Sequence, residues 1–119
     1  MSKSTLVVGA SLNPNRYSYK AIERLVSFNH SVHAYGLRNG VISGVEISSE
    51  WPITQFHTVT LYLNPQRQLE YYNRIIELKP NRVIFNPGTE NPELMEKLSD
   101  NGIEYEAACT LVMLSVGTY

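Results

Sequence analysis

The sequence of 119 residues has very little cysteine, and this limits the chemistry that it can carry. Cys109 is the only cysteine, so no internal disulfide can form, and one thiol cannot supply a cysteine-based zinc site. The first apolar run, Leu6-Val7-Val8, is far too short for the hydrophobic part of a signal peptide or for a membrane span. We therefore expect a cytoplasmic protein that has no membrane partner.

An excess of charge of one sign is lacking as well, since ten basic residues stand against eleven acidic ones and the net charge is −1. A nucleic-acid-binding surface depends on an excess of basic side chains, so we expect no nucleic-acid partner. The charges are nevertheless uneven, because residues 1–40 carry five basic side chains and one acidic one. This N-terminal portion suits a small anionic ligand, although scattered solvated charge would give the same count.

What the sequence does contain is an alternation of strand and helix patterns. Short β-branched or alternating runs predict strands at residues 5–10, 32–35, 58–63, 82–85 and 103–107, and a short one at 45–47 beyond a glycine-punctuated loop at 37–44. Helices are predicted to begin near Ser18, at Asn64-Pro65, at Asn91-Pro92 and in the apolar tail from Cys109 to Ser115.

These elements predict the fold class. Strands that alternate with helices indicate a parallel sheet with helices on both faces and right-handed crossovers. We predict one α/β domain over residues 1–119, a Rossmann-like, doubly wound and mainly parallel sheet of about five strands. In the helix after Asn64, the residues expected to face the sheet are Leu69, Tyr72, Ile75 and Ile76.

The loop after the first strand is the most informative candidate site. In open parallel sheets the ligand lies beyond the carboxyl ends of the strands. Gly9 permits a tight turn, Ala10 leaves room above the backbone, and Ser11 offers a hydroxyl and an N–H. The helix that follows has free N–H groups that favour a phosphate, with Arg16 and Lys20 beside them. The second and third glycines of G-x-G-x-x-G are absent, so a turn that serves packing alone is the alternative.

The segment from Val8 to Tyr19, VGASLNPNRYSY, resembles the opening of the stand-alone CoA-binding domain family. That family is similar to the CoA-binding Rossmann domains of succinyl-CoA synthetase and of ADP-forming acyl-CoA synthetases. The likeness continues through the loop at Gly44, the strand that ends at Asn64, the run Asn86-Pro87-Gly88 and the segment from Asn101 to Cys109. It therefore extends over nearly the whole chain in order.

The resemblance implies a protein that binds coenzyme A, or an acyl-CoA. Because the sequence shows no paired nucleophile and base and no metal set, we expect it to carry out no chemistry of its own. By position the resemblance implies a pyrophosphate contact at Gly9, Ala10, Ser11 and Asn13, and second-tier phosphate contacts at Arg16, Ser18, Tyr19 and Lys20. Arg38, in the loop that begins at Gly36 after the second strand, is placed for the ribose 3′-phosphate. The resemblance also implies that Asn64, Pro87 and Gly88 form the walls. Cys109 is a candidate contact for the thiol of the ligand, and the alternative is a small buried hydrophobic residue.

One departure from the family pattern leaves the nucleotide open. The family usually has Val-Asn-Pro after the second strand, where this chain has Tyr35-Gly36-Leu37. An acidic residue there would indicate a ribose 2′-hydroxyl, as in NAD enzymes, but none is present. Arg38 favours an additional phosphate, so NADP remains an alternative to coenzyme A.

The alternatives in function follow from that departure. One is a small NADP-dependent or redox enzyme that uses the same loops, and another is a regulatory subunit with a degenerate nucleotide site. A homodimer or a partner enzyme is compatible with either. We expect no catalytic residue and no metal, because His30, His33 and His57 form no metal-ligand pair and follow no nucleophile pattern.

Overall fold

The computed structural model describes residues 2–119, which form one β-sheet with α-helices packed on it. The strands are β1 Thr5–Val8, β2 Val32–Tyr35, β3 Gly40–Ile42, β4 Val45–Ser48, β5 Thr58–Leu61, β6 Arg82–Phe85 and β7 Glu104–Ala107. The helices are α1 Tyr17–Ser27, α2 Pro65–Gln68, α3 Tyr72–Leu78, α4 Pro92–Asp100 and α5 Thr110–Val116, with a 3₁₀ turn at Leu69–Tyr71 between α2 and α3.

The strands make a single sheet in the order β3-β4-β2-β1-β5-β6-β7. Each neighbouring pair is parallel except β3 and β4, which are antiparallel. The two strands at the centre, β1 and β5, are buried along their whole length. Strands buried on both faces are typical of a parallel sheet that is covered by helices on both sides.

The core has two parts, one on each face of the sheet. Leu6 and Val8 of β1 point to the face that α3 and α4 cover, where they join a cluster that includes Ile75 and Leu94. Val7, between them, points to the other face and joins the cluster built around α1 and α5; that cluster comprises Val7, Ile22, Leu25, Ala34, Ile42, Ile47 and Leu114. This period-two alternation confirms the doubly wound, Rossmann-like fold.

The predicted strand count of about five is wrong, because the sheet has seven strands. The segment predicted as a loop at 37–44 contains β3, which pairs with β4 through a turn at Ser43 and Gly44. Both turn residues have positive φ, of 49° and 82°, as tight hairpin turns require. The strand β3 is only three residues long and its Val41 is exposed, so its sequence is too short to show the alternating pattern of a strand.

The helix that follows β5 also departs from its predicted packing. Asn64 caps its start as expected, but the 3₁₀ turn at Leu69–Tyr71 interrupts it. A 3₁₀ turn has three residues per turn, and it therefore shifts which residues face the sheet. Leu69 is 58% exposed, while Gln68 and Tyr71 are buried in its place.

Candidate functional site

A cleft of about 750 Å³ lies at the carboxyl ends of the parallel strands. Its size is within the range of small-molecule sites, which runs from roughly 300 to 1,000 Å³. The walls come from the loops after β1, β2, β5 and β6. The starts of α1, which follows β1, and of α2, which follows β5, also contribute. The lining residues are Gly9, Ala10, Ser11, Leu12, Arg16, Tyr17, Ser18, Tyr35, Gly36, Leu37, Arg38, Tyr62, Leu63, Asn64, Arg67, Glu70, Tyr71, Pro87, Gly88 and Thr89.

The loop after β1 differs from expectation in its backbone amides. The N–H groups of Gly9 and Ala10 both donate to the carbonyl oxygen of Tyr35, at 3.0 and 2.9 Å. These two amides are therefore used by the fold and are not free to bind an anion, which corrects the expectation of a bare turn. The N–H of Ser11 has no acceptor within residues 2–119.

Two glycines allow the ends of neighbouring strands to approach one another at this loop. Gly9 has a φ of +94°, and a Cβ there would lie 3.0 Å from the carbonyl carbon of Tyr62. A Cβ at Gly36 would lie 2.5 Å from the carbonyl oxygen of Ala10. Both glycines are thus required by backbone packing at the base of the cleft.

The start of α1 is open to a ligand. Its first residues, Tyr17, Ser18 and Tyr19, have N–H groups with no acceptor within residues 2–119. The N-cap residue, Arg16, provides no side-chain cap, and the first turn has no acidic residue. A cation at the positive end of a helix is unfavourable unless an anion joins it.

Among the other helices that follow a strand's carboxyl end, α2 and α4 are capped by their own N-cap asparagines, whereas in α5 the first N–H, at Thr110, donates to the side chain of Asn86. In α2 the side chain of Asn64 accepts a hydrogen bond from the Arg67 N–H at 2.9 Å. In α4 the side chain of Asn91 accepts one from the Leu94 N–H at 3.2 Å. The N–H groups at the start of α1, unlike those capped in α2 and α4, therefore remain available to a ligand.

The charged side chains that line the cleft are mainly basic. They are Arg16, Arg38 and Arg67, against the single carboxylate of Glu70. Within residues 2–119 none of the four forms an ion pair, since the one such pair there joins Arg82 to Glu106. The cleft therefore presents unpaired guanidinium groups, which suit a phosphate-bearing ligand.

An aromatic cluster lies at the end of β2. The Tyr35 and Tyr71 rings are 5.4 Å apart and their hydroxyls are 3.1 Å apart. Trp51 stacks on Tyr71 with centroids 5.3 Å apart. Burial, together with the Tyr35 hydroxyl and the Glu70 carboxylate, raises the pKa of Tyr71. The cluster gives the cleft a rigid neutral wall beside the loop at Gly36.

The amide of Gln68 holds two walls of the cleft together. Its Nε2 donates to the carbonyl oxygens of Leu63 and Thr89, each at 2.8 Å. Its Oε1 accepts from Asn91 at 2.9 Å, and Asn91 also donates to the Tyr72 hydroxyl. Gln68 is completely buried, so these bonds fix the loops after β5 and β6 relative to one another.

A second buried amide, Asn86, fixes the end of β6. Its Nδ2 donates to the Thr60 hydroxyl at 2.6 Å and to the Leu61 carbonyl at 2.9 Å. Its Oδ1 accepts from the N–H of Thr110 at 2.9 Å. Pro87 and Gly88 directly follow Asn86, so the hydrogen-bonded Asn86 side chain fixes the start of the wall that they form.

Most of the residues predicted for the site meet at this cleft. Those that line it are Gly9, Ala10, Ser11, Arg16, Ser18, Gly36, Arg38, Asn64, Pro87 and Gly88. The other predicted residues, Asn13, Tyr19, Lys20 and Cys109, are not part of the lining.

Each of these four has an identifiable place. Asn13 shapes the loop, since its side chain accepts from the Asn15 N–H at 3.0 Å. Tyr19 packs against the α1 side of the core. The Lys20 ammonium lies 5.5 Å from the centre of the Tyr17 ring, and Cys109 is half-buried at the N-cap of α5.

Several polar or aromatic residues of the cleft were missed by sequence reasoning, among them Tyr35, Arg67, Glu70 and Tyr71. Arg67 could have been found, because it is three residues after the Asn64 cap and therefore in the first turn of α2. Glu70 and Tyr71 lie on the unforeseen 3₁₀ turn. Their place in the cleft depends on that local irregularity.

Residues 2–119 contain no group of three His, Cys, Asp or Glu side chains that could hold a metal ion. In the same residues, no helix has both the length and the apolar character needed to cross a membrane.

The chain is similar to several solved structures. One, of an uncharacterized protein, is 55% identical, covers 100% of this chain and 99% of its own, and has a TM-score of 0.96. A conserved hypothetical protein from Pyrococcus furiosus is 26% identical, with 88% and 91% covered and a TM-score of 0.72. A protein from Thermus thermophilus is 18% identical, with 99% and 91% covered and a TM-score of 0.84, which shows the shared fold. No curated protein matches the chain.

A family model bears on the ligand classes left open by the sequence. The model described as the CoA binding domain matches residues 3–115, nearly the whole chain. It gives the NADP alternative no support. The matched region includes every element that lines the cleft. The chain belongs to the CoA binding domain family.

Proposed function

We propose that this protein binds coenzyme A, or an acyl-CoA, in the cleft at the carboxyl ends of the strands, and that it does so without catalysing a reaction. The observation that carries the proposal is the uncapped start of α1. Free N–H groups at Tyr17 and Ser18 stand beside the unpaired Arg16, in a cleft of the right size. Membership in the CoA binding domain family supports the same ligand.

The diphosphate of the ligand would lie against the start of α1. The free N–H of Ser11 and those of Tyr17 and Ser18 belong to residues that line the cleft. Backbone N–H groups at a helix N-terminus bind phosphate through both hydrogen bonding and the helix dipole. Arg16 adds a charge-assisted contact from the same helix end.

The 3′-phosphate of the ligand would be held by the remaining arginines. Arg38 follows β2 and Arg67 is in the first turn of α2, which follows β5, so the two reach the cleft from opposite sides of β1. Both are exposed and unpaired within residues 2–119. Guanidinium groups suit a terminal phosphate because they can donate two parallel hydrogen bonds to it.

The composition of the lining supports binding without chemistry. It contains no histidine and no cysteine, and Glu70 is its single carboxylate. A nucleophile with a neighbouring base, the minimum for acyl transfer, is therefore not assembled by these residues. Cys109 is half-buried at the N-cap of α5 and is not part of the lining.

Isothermal titration calorimetry with coenzyme A tests the proposal, with dephospho-CoA and NADP as comparison ligands. We expect coenzyme A to bind with one site per chain, dephospho-CoA to bind more weakly for want of the 3′-phosphate, and NADP to bind least. Equal binding of NADP and coenzyme A would contradict the proposed ligand. Absence of binding by all three would contradict the proposed site.

A further inference from the structure

Glu70 is an unusual member of a site for a polyanion. It is the one carboxylate among the lining residues, and it forms no ion pair with Arg16, Arg38 or Arg67 within residues 2–119. An unpaired carboxylate repels the phosphates of a nucleotide. It lowers the affinity of the cleft unless the ligand donates a hydrogen bond to it.

The position of Glu70 relative to β2 indicates which part of the ligand it meets. Tyr35 ends β2, and its hydroxyl is 3.1 Å from that of Tyr71. Glu70 precedes Tyr71 and contributes, after burial and the Tyr35 hydroxyl, to raising the pKa of Tyr71. Glu70, Tyr35 and Tyr71 all line the same cleft.

In Rossmann sites, the end of the second strand is where a carboxylate binds the ribose. Here β2 ends at Tyr35-Gly36 without an acidic residue. Glu70 brings a carboxylate to the same end of the sheet from the 3₁₀ turn after α2. The missing acid of the strand is therefore supplied by another segment of the chain.

We infer that Glu70 accepts a hydrogen bond from the 2′-hydroxyl of the ligand's ribose and so excludes nucleotides that carry a phosphate at that position. The inference rests on the proposed function and deepens it. A 2′-phosphate would meet the carboxylate directly, whereas a 3′-phosphate leaves the 2′-hydroxyl free as a donor. Arg38 and Arg67 supply the attraction for the phosphate, and Glu70 determines which ribose carbon may carry it.

Calorimetry with two isomeric probes tests the inference. Adenosine 3′,5′-bisphosphate and adenosine 2′,5′-bisphosphate have equal charge and differ only in the position of one phosphate. We expect the parent protein to prefer the 3′ isomer. Glu70→Gln should reduce that preference by about tenfold, the scale of one charge-assisted contact, chiefly because the 2′ isomer gains affinity.

Two variants serve as controls. Glu70→Asp keeps the charge and should retain the preference for the 3′ isomer. Glu77→Gln removes an exposed carboxylate of α3 outside the lining, and should leave both affinities unchanged. A general effect of net charge would change both isomers equally in Glu70→Gln and in Glu77→Gln, and would overturn the inference.

The outcomes separate the inference from the proposed function. If the parent binds the 3′ isomer and Glu70→Gln keeps the same preference, Glu70 does not select the phosphate position, while the proposed site stands. If the parent binds neither isomer, the proposed function and the inference both fail. Preference of the parent for the 2′ isomer would overturn the inference and also the proposed 3′-phosphate contact at Arg38 and Arg67.

Discussion

The α-carbon of Gly36 faces the carbonyl oxygen of Ala10 so closely that an added Cβ would lie 2.5 Å from that oxygen. This contact joins the loop after β2 to the loop after β1 at the base of the cleft. The N–H groups of Gly9 and Ala10 strengthen the same junction through the Tyr35 carbonyl. The shape of the cleft therefore depends on a backbone-to-backbone approach that only glycine permits.

Gly36→Ala tests that dependence. The methyl group meets a backbone oxygen that cannot move aside cheaply, so we expect the free energy of unfolding to fall by about 1–3 kcal/mol, the usual cost of overpacking. Chemical denaturation measures the change. The matched control is Gly40→Ala, where the methyl would meet only the flexible end of Leu12. An equal loss in both variants would show that the Gly36 contact is not special.

Arg16→Ala tests the proposed binding of the diphosphate at the start of α1. Arg16 is exposed and makes no capping bond, so its removal should leave the fold intact and weaken coenzyme A binding by about tenfold or more, since a hydrogen bond to a charged group is lost. Titration calorimetry gives the affinity. Arg24→Ala, on the same helix but outside the lining, should bind as the parent does. A similar loss of affinity in Arg24→Ala would show that net charge, and not a specific Arg16 contact, causes the effect.

Gln68→Leu tests the link between the walls. Leucine fills the space but leaves the buried carbonyls of Leu63 and Thr89 without this donor, at a cost of about 1–3 kcal/mol for each. We expect a clear decrease in the free energy of unfolding, measured in urea. The exposed neighbour Gln66 provides the control, and Gln66→Leu should change stability little. Parent-like stability in Gln68→Leu would show that the amide does not hold the loops.

His30 and His57 lie at the amino ends of the strands, opposite the cleft, and they predict a pH dependence of stability. Burial, with Lys3 and Arg82 nearby, lowers the pKa of His30 below its ordinary 6.5, and burial with Arg82 and Lys3 lowers that of His57. Nδ1 of His30 accepts the Lys3 N–H at 3.0 Å, and protonation of that nitrogen would break the bond.

The direction of the effect follows from these lowered pKa values. The unfolded chain takes up protons at a higher pH than the folded chain, so the histidine contribution to stability is present above about pH 6.5 and is lost as the pH falls. We expect a lower free energy of unfolding at pH 5.5 than at pH 7.5, and a smaller difference in His30→Gln. A difference of the same size in that variant would rule out His30 as a source.

The sequence predicted the parts of the structure that depend on local signals. Asn64-Pro65 and Asn91-Pro92 each place a capping side chain before a proline, and both start helices as predicted. Asn29, just after α1, has a φ of 65°, the left-handed conformation in which asparagine can end a helix. These signals act within a few residues and do not require knowledge of the tertiary fold.

The parts that could not be predicted depend on contacts distant in sequence. The amides of Gly9 and Ala10 looked free until β2 brought the Tyr35 carbonyl to them. Glu70 and Tyr71 reach the cleft because buried hydrogen bonds of Gln68 hold a 3₁₀ turn in place. A helical pattern gives no sign of that turn, and it favoured the exposed Leu69 for the core instead.

The most direct test of the account is an NMR titration of the assigned backbone amides with coenzyme A. The account predicts the largest shift changes at the free N–H groups of Tyr17, Ser18 and Tyr19, and smaller ones at Gly9 and Ala10, whose N–H groups are already bonded to Tyr35. Saturating binding that leaves the amides at the start of α1 unchanged and shifts those of another region would contradict it.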